Sequence, residues 1–101
     1  MLNWIKAIVR DIDDEIQGAE HYAKVAHKAK AMDANSMQVY LAMAKQELAH
    51  VETLSDLARR IVKTAQERKD PNLAGIEAIW ELQTERISTW VPKVKMMLDG
   101  V

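Results

Sequence analysis

Glu47 and His50 stand three residues apart in the middle of a long stretch of helix-forming residues. Positions i and i+3 of a helix project side by side, so the two side chains can reach one metal ion together. The stripe they interrupt is otherwise apolar: Tyr40, Met43, Leu54, Leu57 and Ile61, flanked by Leu41, Ala44, Leu48 and Val51. An unpaired charge among such neighbours is costly, which is a reason to look for a cation. Glu20, on the preceding stretch, lies almost equally far from the intervening turn.

The elements that must position these residues follow from the punctuation. Three Gly, two Pro and no Phe in 101 residues, with abundant Ala, Leu, Ile, Lys and Glu, predict an all-α chain of one domain. A first helix is expected over about 2–31, with Ile5, Val9, Ile12, Ile16, Ala19, Ala23 and Ala26 at spacings of three and four. Met32-Asp33-Ala34-Asn35-Ser36 is a short connection in which Asn35 or Ser36 can cap the next helix. A short link makes the neighbours antiparallel. The second helix is expected over about 36–69, ended by Asp70-Pro71-Asn72. The third is expected over about 73–98, carrying Leu73, Ile76, Trp80, Gln83, Ile87, Trp90, Val94 and Met97, with Pro92 kinking it or ending its regular part.

In an antiparallel hairpin turning near residues 33 and 34, residues at equal depth have numbers summing to about 67, because each residue advances about 1.5 Å along either axis. Glu20 and Glu47 meet that condition. Each lies about 13 residues, or about 20 Å, from the turn, with His50 one turn further along. Glu-x-x-His alone recurs by chance in about a quarter of such chains, and the carboxylate at matched depth is what raises the signal. One chain then offers two carboxylates and an imidazole; a two-fold axis beside them doubles the set to four and two.

That ligand set resembles the ferritin-like superfamily, whose four-helix bundles supply a Glu from each of two helices and a Glu-x-x-His from each of the other two. Glu20 matches the lone Glu, and Glu47-Leu48-Ala49-His50 the paired motif. The likeness covers the first two helices. With half a bundle per chain, it is most similar to the half-ferritins, encapsulated ferritin among them, which complete a ferroxidase site across a dimer interface. The resemblance implies a long antiparallel hairpin that dimerises into a four-helix bundle, two iron ions per dimer, and oxidation of Fe(II). Glu47 would bridge the irons while Glu20 and His50 bind terminally. Carboxylate oxygens with one imidazole per metal suit iron or manganese, and zinc can also use them. Where encapsulated relatives carry a C-terminal targeting extension, this chain stops at Asp99-Gly100-Val101, so an encapsulating shell stays an open option that the C-terminus does not support.

Other residues have two readings each. His27 and Tyr40 lie seven residues from Glu20 and Glu47 and could orient ligands or donate electrons, or simply fill the core. Trp4, Trp80 and Trp90 read as core or subunit anchors rather than redox groups, and Gly18 either permits a close helix approach or is incidental. Asp11, Asp13, Asp14 and Glu15 share a depth with Glu52 and Asp56 and could collect cations; the alternative is that these acids and Arg59, Arg60, Lys63, Arg68 and Lys69 complement the two helix dipoles and form cross-helix ion pairs. Glu20 could equally pair with Lys24.

With 14 basic and 15 acidic residues the net charge is −1, which favours neither nucleic acid nor an anionic membrane. Cysteine is absent, so thiolate chemistry is excluded. No leader and no membrane-spanning run is evident, and a cytoplasmic homodimer, or a higher homo-oligomer, is expected. The competing expectations are a non-catalytic helical assembly or phage-like structural module with a relict or structural metal site, and a mononuclear zinc site from Glu20, Glu47 and His50 of one chain.

Overall fold

A computed structural model describes residues 1–101, and they form three helices with no strand. These are α1 (Leu2–Lys30), α2 (Ala34–Glu67) and α3 (Leu73–Asp99), running up, down and up in a bundle 55 Å long and 19 by 15 Å across. None of them is long and apolar enough to cross a membrane.

The first helix buries one stripe: Ile5, Ile8, Ile12, Ile16, Ala19, Ala23 and Ala26. Ile8 takes the place expected for Val9, which is half-buried. His27, Lys28 and Lys30 occupy the last turn, where positive charge complements the carbonyl end of the helix dipole. The cap of α2 is Asp33, not Asn35 or Ser36. Its carboxylate accepts from the Asn35 amide and from the Ser36 hydroxyl, and these bonds hold its pKa below the ordinary carboxylate value, the hydroxyl contributing most. The helix therefore starts two residues earlier than expected. It ends through Lys69, the one non-glycine residue with positive φ (51°), while the Asp70 amide reaches back to the Ala65 carbonyl. The third helix passes through Pro92 without ending: Val94 and Leu98 beyond it remain buried. Packing on both sides of the proline holds the helix together despite the missing amide.

On α2 the buried stripe is rotated from the expected one. Ala44, Val51, Ser55, Ala58, Ile61 and Ala65 face inward, whereas Leu54 and Leu57 are half-buried and His50 is exposed. The small residues win because α2 must accept two neighbours, and Ala and Ser let helix axes approach. The pair that looked central to the stripe sits on its edge.

The third helix packs more extensively on α1 than on α2. Among the polar contacts that join it to α1, three fall in register: Gln83 Nε2 donates to Asp13 Oδ1 at 2.9 Å, Trp90 Nε1 donates to Glu20 Oε2 at 2.7 Å, and His27 Nε2 lies 2.7 Å from the Met97 carbonyl oxygen. Each pair is separated by 70 residues, and the members recur every seventh residue along both helices. Two parallel helices in heptad register meet in this way. Between α2 and α3 lies an open groove of about 760 Å³ floored by Leu48, Val51, Ile87, Val91 and Leu98. Ser55 lines it with a buried hydroxyl that has no hydrogen-bond partner.

Candidate metal centre

The hairpin brings three ligand types together. One carboxylate oxygen each from Glu15 and Glu47 and one imidazole nitrogen of His50 lie within 4.8 Å of one another. His50 Nδ1 is 3.3 Å from Glu15 Oε2. The His50 side chain is 59% exposed and that of Glu15 26%, so the cluster is open to solvent on one side and walled by helix on the other.

Glu47 and His50 are brought together as expected, and the carboxylate that joins them comes from Glu15. Glu20 lies outside that 4.8 Å group. Its carboxylate accepts from Trp90 and sits 3.3 Å from Lys24 Nζ. The reason is rotational. A helix turns about 100° per residue, so Glu20 is about 200° round α1 from Gly18, the residue that Glu47 overlies, and about 140° from Glu15. Glu20 belongs to the flank of α1 that meets α3, together with Asp13 and His27. Glu15 belongs to the flank that meets α2. Matching depth along the axis picks candidates at the right height and says nothing of which way they point. The turn also spans Ala31–Asp33, centred on Met32, which shifts the register. One signal in the sequence pointed to Glu15: Gly18, a helical turn further on, leaves room on that flank for a facing side chain.

The electrostatics are those of two carboxylates held close together. Glu15, chiefly by hydrogen bonding to Glu47, pushes the Glu47 carboxyl up to about 7; burial and repulsion from Glu15 add to this, and the charge of His50 opposes it. The two acids are stable together when they share a proton, and a divalent ion can replace that proton. Glu20 shows the reverse. The Trp90 hydrogen bond, helped by Lys24, holds its carboxyl below the ordinary value against some desolvation. A carboxylate already served by an indole N–H and an ammonium has little need of a metal.

The remaining candidates have other partners. His27 meets the Met97 carbonyl at the end of α3, and Tyr40 packs near Tyr22 with ring centroids 6.1 Å apart. Asp13 bonds Gln83 and pairs with Arg86 at 3.2 Å, and Asp56 pairs with Arg59, so two of the acidic residues expected to collect cations are taken up by structural ion pairs. Trp80 and Trp90 pack against the main core, whereas Trp4 is 58% exposed.

Comparison with protein-family models, with curated proteins and with solved structures finds no match for this chain.

Proposed function

We propose that Glu15, Glu47 and His50 form a divalent-metal half-site, that two copies of the chain meet across the open α1/α2 face, and that the shared centre binds two iron ions and oxidises Fe(II). The observation that carries this reading is the convergence of two carboxylates and an imidazole from α1 and α2 within 4.8 Å of one another. The donor set fits: carboxylate oxygens suit iron and manganese, imidazole completes the set, and the raised Glu47 carboxyl beside Glu15 marks where positive charge is favoured. Doubling by a two-fold axis supplies four carboxylates and two imidazoles, the ligand count of a di-iron carboxylate centre. Its residues would bind and orient the substrate ions. In the reaction two Fe(II) ions lose one electron each to dioxygen, which takes up two protons and leaves as hydrogen peroxide. Glu47, with a carboxyl near 7, is suited to hold and release a proton as ions enter and leave.

The test is anaerobic Fe(II) loading followed by exposure to oxygen, with the mass in solution measured in parallel. About two irons per dimer are expected, with oxidation faster than in buffer alone. Glu15→Ala, Glu47→Ala and His50→Ala should each lower iron binding at least tenfold, while Glu20→Ala leaves it unchanged. Binding that survives the first three substitutions, or that depends on Glu20 instead of Glu15, overturns the assignment.

One observation favours a second reading. All three ligands come from a single chain, so a monomer can hold one zinc ion without a partner. A stoichiometry of one metal per monomer, with no change of mass on loading, would favour it.

A further inference from the structure

Gly18 is the one glycine inside α1, a position where alanine would make a better helix. What it faces explains its presence. A Cβ built on Gly18 would lie 3.1 Å from Glu47 Oε2, 3.4 Å from Glu47 Cδ and 3.7 Å from Glu47 Cγ. Its three nearest neighbours are therefore all side-chain atoms of one residue. No backbone atom of α2 is among them, so what a side chain at position 18 would meet first is the Glu47 side chain. The glycine leaves a shallow niche in which the outer half of the Glu47 side chain rests. Glu15, one turn earlier on the same flank, meets the carboxylate that the niche holds.

From this geometry we infer that Gly18 is a positioning residue for the metal centre: its missing side chain seats the Glu47 carboxylate beside Glu15 and His50. The inference rests on the metal reading above. A methyl group in the niche forces the carboxylate outward by a few tenths of an ångström, off the position it holds beside Glu15 and His50. The Glu47 side chain is flexible enough to yield, so the metal-free fold tolerates the change, whereas a ligand set depends on where each oxygen sits.

The two consequences have opposite signs, which separates positioning from a merely structural role. Gly18→Ala is expected to raise the melting temperature of the metal-free protein by about 3–6 °C through helix propensity. The same substitution is expected to weaken Mn(II) binding about tenfold, the scale seen when a group that orients a ligand is lost. Adding Glu47→Asp, which draws the carboxylate back by one methylene, should recover part of the affinity in the Gly18→Ala background, although Glu47→Asp alone weakens binding.

The experiment is a Mn(II) titration of the four proteins, followed by electron paramagnetic resonance of the free ion, with thermal unfolding of each metal-free sample. Unchanged affinity in Gly18→Ala, beside a wild-type chain that binds and loses binding in Glu47→Ala, overturns the positioning role and leaves the metal reading intact. A lowered melting temperature with unchanged affinity also overturns it, since it makes Gly18 a packing residue. A wild-type chain that binds no Mn(II), Fe(II) or Zn(II) overturns the metal reading, and the positioning role falls with it. Opposite shifts of stability and affinity, with partial rescue by Glu47→Asp, support the inference.

Discussion

At the scale of single residues the chain contains two glutamates with opposite electrostatic histories. Glu20 is stabilised as a carboxylate by an indole N–H and a lysine; Glu47 is disfavoured as a carboxylate by Glu15 and by burial. The consequence for stability has a definite sign. A carboxyl raised from 4.5 to about 7 in the folded chain contributes stability that is fully present below the unfolded value and is lost as pH rises through 7. Metal-free protein should thus lose about 1–2 kcal/mol between pH 5 and pH 8, after allowance for solvent screening. Chemical denaturation at the two pH values measures it. Glu47→Gln, which keeps a neutral amide against Glu15, should flatten that dependence and leave the metal-free chain more stable than wild type at pH 8. It should also abolish metal binding. Glu20 and Asp33 act at the other end of the scale: their lowered pKa values contribute stability above the unfolded values, lost only as strong acid is approached.

At the scale of elements, α1 has two working flanks. One faces α3 through Asp13, Glu20 and His27; the other faces α2 through Glu15 and Gly18. A change on the first flank should leave the second untouched. Trp90→Phe removes the donor to Glu20 and is expected to cost about 1.5–3 kcal/mol, the usual loss for a hydrogen bond to a charged group, with no effect on metal affinity. Urea unfolding and a metal titration on the same sample check both halves of that statement. The helices themselves were largely legible in the sequence: the Ile and Ala stripe of α1 and the break at Asp70-Pro71-Asn72 reflect local periodicity and turn chemistry. The rotation of α2 was less so. Leu54, Leu57 and His50 looked central because large apolar residues weigh most in a pattern, yet Ala44, Ser55 and Ala58 are the ones buried. Small residues are chosen by the distance between axes, which no single helix specifies. Ser55 shows the cost of that choice, a buried hydroxyl without a partner, and Ser55→Ala should be neutral or stabilising by up to about 1 kcal/mol.

At the scale of the whole molecule, 17 of 101 residues are buried, a small core for a rod 55 Å long. Chains with so little interior gain from association. The proposed dimer would cover the α1/α2 face, where Leu54 and Leu57 are half-buried and His50 is exposed. Light scattering of the metal-free and metal-loaded chain should give a dimer, strengthened by metal, and Glu47→Ala should remove the strengthening. A strict monomer at high concentration with metal present would exclude the shared centre.

The sequence by itself determined that Glu47 and His50 are neighbours, since an i, i+3 pair is fixed by the pitch of its own helix. It determined as well that an antiparallel hairpin would bring some carboxylate of α1 to their level. Which carboxylate that is depended on the rotation of α1 about its own axis, set by the packing of α2 on one flank and α3 on the other. Tertiary structure turned Glu20 toward Trp90 and Glu15 toward His50. Depth along a helix is counted in residues, but the direction a side chain points becomes functional only when a neighbour arrives to meet it.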